Sequence, residues 1–126
     1  MNIESFRNGF LSECVERPWG CYVSTFGIDR FKTKVLCVKP RQRLSLQSHA
    51  HRHELWIVVS GRGICSIDDQ VFEIHDDSFV KVPKGARHRI ENISDIEDLL
   101  IAEVQVGDYL SECDIIRYQD DYGRSQ

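Results

Sequence analysis

The sequence predicts an all-β fold, a barrel or sandwich of short strands. Three observations carry that expectation. Nine segments of four to nine residues are rich in β-branched and aromatic side chains, turn-forming residues separate them, and no long apolar stretch between them follows a helical period.

In chain order, only the first 16 residues could hold a short helix. The expected strands are Cys21–Phe26, Phe31–Lys39, Leu44–His51, Glu54–Val59, Ile64–Ile67, Gln70–Ile74, Ser78–Val82, His88–Asn92 and Leu99–Val106. Gly27-Ile28-Asp29, Ser60-Gly61-Arg62-Gly63, Asp68-Asp69, Asp76-Asp77 and Pro83-Lys84-Gly85 supply the turns between them. A chain of 126 residues without repeats or a Pro/Gly/Ser-rich linker is expected to form a single domain over 1–126, with its core at about 16–110 and a C-terminal tail at 111–126.

Composition excludes several classes. With 41% hydrophobic and 29% charged residues the chain is an ordinary globular one. Its longest apolar run, Leu55 to Val59, is far short of the roughly 20 residues a membrane helix needs, and the N-terminal MNIESFRNGF is no signal peptide, so a cytoplasmic protein without membrane contact is expected. Five cysteines, at 14, 21, 37, 65 and 113, form no C-x-x-C pair and are assigned no chemistry. The net charge of −4 divides into +5 over residues 1–52 and −9 over 53–126. No nucleic-acid partner is expected of an acidic chain without a basic stripe, whereas a small phosphorylated ligand needs only a few converging cations.

The segment QSHAHRHELWIVVSG places Gln47 and His49 two residues apart, followed by Glu54 and Gly61; downstream comes Pro83-x-Gly85-x-x-His88-x-x-x-Asn92. Side chains two apart on a strand share a face, so Gln47 and His49 can point together into a barrel. Glu54 breaks that parity and needs a bend, a bulge or a new strand to join them. Two imidazoles, a carboxylate and an amide oxygen suit one divalent metal ion, zinc first, with manganese, iron, cobalt and nickel open. His51 has the parity of Gln47 and His49, which makes His49, His51 and His88 a rival ligand set.

These spacings resemble the paired motifs of the cupin superfamily, G(x)5HxH(x)3,4E(x)6G and G(x)5PxG(x)2H(x)3N. Gln47 stands at the first histidine place, and Arg41 and Asp77 replace the opening glycines. Arg17-Pro18-Trp19-Gly20, RLSLQSHAHRHELWIVVSG and EVQVGDYLSECDIIRYQDDYGR further resemble the C-terminal cupin domain of type II phosphomannose isomerases, over about residues 16–124. The resemblance implies a cupin jelly-roll barrel with Gln47, His49, Glu54 and His88 as metal ligands. It also implies metal-dependent interconversion of mannose 6-phosphate and fructose 6-phosphate.

For the proton shuttle the candidates are Glu103, on a late strand with Gln105 at the same parity, and His51, flanking the ligands. Arg17, Lys34, Arg89 and Arg117 are the candidates for binding the phosphate. Trp19 and Trp56 are expected in the core, Asp114 and Asp121 are expected to pair the tail with arginines, and the assembly expected is a homodimer. The alternatives are another sugar-phosphate or nucleotide-sugar isomerase or epimerase, or a non-catalytic sugar- or metal-binding module. No nucleotidyltransferase domain or glycine-rich nucleotide loop is present, so guanylyltransferase activity is not expected.

Overall fold

The computed structural model describes residues 2–124; Met1 and, at the end of the expected tail, Ser125 and Gln126 lie outside it. A five-residue helix, α1 (Ile3–Arg7), precedes β1 (Phe10–Arg17), β2 (Gly20–Ile28), β3 (Phe31–Val38), β4 (Leu46–Ser48), β5 (Arg52–Ser60) and β6 (Gly63–Ile67). Then come β7 (Gln70–Ile74), β8 (Phe79–Val82), β9 (His88–Asn92), β10 (Leu99–Gly107) and β11 (Ile116–Gln119). They form two antiparallel sheets, one of six strands in the order β1-β2-β3-β10-β5-β8 and one of five in the order β11-β4-β9-β6-β7. No described helix is long and apolar enough to cross a membrane.

Alternation of side chains explains the two-sheet packing. Along β10 every second residue is buried, as it is along most of β2 and β5, so each of these strands turns one face inward. The inward faces meet in one core cluster that includes Trp19, Trp56, Val58, Ile90, Leu99 and Ile101. As expected, both tryptophans are in it.

The inner faces are not uniform. Along β10 the inward residues run Leu99, Ile101, Glu103, Gln105; along β3 they run Val38, Leu36, Lys34; along β5, Val58, Trp56, Glu54, Arg52; along β9, Asn92, Ile90, His88. The register places Ile101 beside Leu36 and Val58, then Glu103 beside Lys34 and Trp56, then Gln105 beside Glu54. One end of the sandwich is therefore sealed by apolar packing, while charged side chains gather at the other. Desolvating charges is costly unless they pair or bind an ion, so this end is where a site belongs.

The structure departs from the sequence expectation in three places. The described α-helix falls within the first 16 residues as expected, but β1, an edge strand joined to β2 by backbone pairing, also begins there and was not anticipated. The segment Leu44–His51 contributes only the strand Leu46–Ser48, because the chain bends after His49. The tail supplies β11, which pairs with β4 and completes the second sheet.

Candidate metal centre

His49, Glu54 and His88 reach the same point from three directions. His88 opens β9, Glu54 comes from β5, and His49 lies just past β4. All three are buried, and their ligating atoms lie within 4.8 Å of one another. His49 Nε2 is 3.4 Å and His88 Nε2 4.0 Å from the Glu54 carboxylate.

Both imidazoles are held by backbone carbonyls. His49 Nδ1 donates to the Asp114 carbonyl at 2.7 Å, and His88 Nδ1 to the Ala86 carbonyl at 3.0 Å. A carbonyl only accepts, so the ring proton sits on Nδ1 and each Nε2 presents a lone pair to the shared point. His88 Nε2 is buried with no hydrogen-bond partner. An orphaned acceptor beside a carboxylate and a second imidazole fits a cation, so the donor set suits a divalent metal. Burial pushes the His49 ring down to about 4 and that of His88 down as well, which keeps both in the neutral, ligating form.

Gln47 lines the same cavity, and its Cα pairs with that of His88 across β4 and β9. Its side-chain oxygen accepts from the Ser45 hydroxyl at 3.0 Å. The side chain is thus positioned at the edge of the His–Glu–His group.

Arg52 completes the floor of the site and was not anticipated. Its guanidinium donates to Glu54 at 2.8 Å and to His49 Nε2 at 3.2 Å, while the Trp56 indole donates to the other Glu54 oxygen at 3.1 Å. Burial disfavours the Glu54 carboxylate, yet with the Arg52 guanidinium bonded to it the group stays below the usual carboxylate range. The sequence did contain the signal, since Arg52 precedes Glu54 by two residues and shares its face.

Above this floor the cavity encloses about 650 Å³, open solvent at its mouth included. Glu103 lines it, fully buried, with Gln105 donating to it at 2.7 Å. Burial and the nearby Glu54 charge push Glu103 up to about 8, against the opposing pull of Lys34 and Arg52. Arg17, Lys34, Arg89 and Arg117 line the same cavity, joined by Arg124 from the tail. Lys34 is buried, 2.8 Å from Glu112 and 4.2 Å from the Tyr22 ring centre. Arg89 is committed to structure: its donors go to the Leu44 carbonyl and to Gln119, tying β9 to β11.

Two expectations need correction. His51 does not flank the ligands; it is exposed, its ring packed edge-on against Tyr109 at 5.7 Å. Strand parity fails there because β4 has already ended, and the Asp114 carboxylate pulls the backbone N–H groups of Ala50 and His51 into a bend at 2.9 and 3.0 Å. Asp114 accordingly accepts from backbone N–H groups, whereas Asp121 does pair with Arg43 at 2.6 Å. A tail aspartate that sets this bend and carries the carbonyl orienting His49 leaves no mark in local sequence.

The family model named mannose-6-phosphate isomerase C-terminal matches residues 8–120. The chain belongs to that family. It is 47% identical over 111 residues to the alginate biosynthesis protein AlgA of Pseudomonas aeruginosa, covering 88% of this chain and 23% of AlgA. It is 44% identical over 111 residues to the xanthan biosynthesis protein XanB of Xanthomonas campestris pv. campestris, covering 88% of this chain and 24% of XanB. This member of the family thus spans about a quarter of the length of the curated relatives it matches. In fold it is similar to the capsular polysaccharide assembling protein CapF of Staphylococcus aureus, with a TM-score of 0.70 at 23% identity over 86% of this chain and 34% of CapF. The two antiparallel sheets are a cupin sandwich, and the buried His–Glu–His group of this cupin can hold a metal ion.

Proposed function

We propose that this domain interconverts mannose 6-phosphate and fructose 6-phosphate, using one divalent metal ion, zinc by preference, held by His49, Glu54 and His88 with Gln47 beside them. The observation that supports it is a single cavity lined by the ligand group, by the buried acid Glu103 and by several cations. When bound, the metal supplies a positive charge that polarises the sugar oxygens at C1 and C2.

The protein's own groups do the rest. Glu103 in its ionised form takes the proton from C2 of the aldose and returns it to C1, while the C2 hydroxyl proton passes to the C1 oxygen, so that the enediol collapses to the ketose; the reverse order restores the aldose. Lys34, Arg17 and Arg117, all lining the cavity, hold the phosphate and orient the chain of the sugar. The partner is accordingly a small phosphorylated sugar, and the assembly a two-fold homodimer, which light scattering reads.

Incubating the purified protein with mannose 6-phosphate, with and without added divalent metals, tests the proposal. Fructose 6-phosphate forms and chelator abolishes it. Glu103→Gln keeps the metal and loses turnover by at least about a hundredfold, the contribution of general base catalysis. Sugar-phosphate binding without turnover under every metal assigns the non-catalytic alternative.

A further inference from the structure

We propose a second metal site on the outer face of the six-stranded sheet, where Cys14, Glu16 and Cys21 take a thiophilic divalent cation of the zinc class. The two cysteines lie seven positions apart with no metal-binding spacing, yet the β1–β2 hairpin folds them together. Glu16 pairs with Cys21 across the strands, and Cys14 sits diagonally on the same face. The two sulfurs and a Glu16 oxygen lie within 4.8 Å of one another.

Three features favour a cation over a chance cluster. Two sulfurs and a carboxylate are a soft donor set with one hard member, which selects zinc, cadmium or cobalt(II) over magnesium or calcium. Cys14 and Glu16 are exposed and Cys21 half-buried, so an ion has access and its remaining positions go to water. Cys37 pairs directly with Cys21 on the next strand, extending the thiol row across β1, β2 and β3. With zinc–sulfur distances of about 2.3 Å, tetrahedral coordination puts the sulfurs roughly 3.8 Å apart, a closure that side-chain rotation on a strand surface supplies.

The site is independent of the cupin centre. Tyr22, the neighbour of Cys21, points to the opposite face and lines the inner cavity, so the sheet itself separates the two sites. Binding here fastens the edge strand β1 to β2, and binding lets each thiol give up its proton to the solvent as the thiolate coordinates.

Cobalt(II) titration of the fully reduced protein, read by near-ultraviolet thiolate-to-cobalt charge-transfer absorption, tests it. One equivalent producing that band is expected in the wild type and in His49→Ala/His88→Ala, with zinc bleaching it. Cys14→Ser/Cys21→Ser removes the band, and Glu16→Gln weakens binding about tenfold, an effect of the size that removing a supporting ligand group has at metal sites. The inference is overturned by a wild type that shows no band, or by a band that survives in Cys14→Ser/Cys21→Ser. Cys14, Glu16 and Cys21 lie on a strand surface, and circular dichroism of every variant, including His49→Ala/His88→Ala, verifies that the sheet is intact.

Discussion

Glu54 is 2% exposed and already paired with the Arg52 guanidinium, so the carboxylate can stay ionised before any metal arrives. Arg52→Met removes its permanent countercharge. Breaking a buried pair by deleting one partner costs about 3–5 kcal/mol, so the metal-free variant is expected to melt well below the wild type and to recover more on adding metal, as calorimetry with and without chelator reads. Asp114→Ala releases the bend at Ala50 and His51 and slackens the hold on His49; metal affinity is expected to fall about tenfold or more by chelator competition.

Glu103 gives the metal-free protein a pH signature. Its folded value of about 8 exceeds the ordinary carboxylate value, so between about pH 5 and 8 the unfolded chain has lost a proton that the folded one retains. Glu103 therefore contributes a fall in stability as pH rises through that window, seen clearly above about pH 6.5, since below it the buried neutral His49 and His88 contribute a rise. In Glu103→Gln the fall flattens, which denaturation at several pH values measures. At this scale the spacing of His49, Glu54 and His88 was legible in the sequence because motif and chemistry coincide. Arg52 carried a signal that went unread, its strand parity with Glu54, whereas the role of Asp114 was not legible, since a tail aspartate acquires it only from the fold.

At the scale of elements, the same strands build both core and site by changing from apolar to polar along one inner face. Nine strands were legible from β-rich runs between turns; β1 and β11 were not, because neither buries a residue and both are joined to a neighbouring strand by backbone pairing. Arg41 and Asp77, standing where the cupin motifs open with glycine, adopt left-handed φ angles of 62° and 71°. The turn geometry persists although the glycines are gone. Because a β-branched residue tolerates that region poorly, Asp77→Val is expected to cost about 1–2 kcal/mol while Asp77→Gly leaves the melting temperature unchanged or higher. Gly107 faces Arg52 across β10 and β5, and a Cβ there would lie 2.1 Å from the His51 carbonyl oxygen. Gly107→Ala must push β5 aside next to Arg52, so metal affinity and stability are expected to fall together.

Across the whole molecule, the C-terminal segment closes the site. Residues after 110 contribute Asp114 to the His49 bend, Glu112 to Lys34, β11 to the second sheet and Arg124 to the cavity wall, while Tyr122 donates to Gln42 at 2.6 Å. Deleting residues 112–126 is therefore expected to remove metal binding and loosen the second sheet, unlike the loss of a merely solvated end. The central claim is that His49, Glu54 and His88 hold the metal. Zinc stoichiometry by equilibrium dialysis, in a Cys14→Ser/Cys21→Ser background so that surface thiols take no part, tests it most directly. One tightly held equivalent that disappears in His49→Ala and in His88→Ala is predicted; equal retention of zinc after either substitution would contradict it.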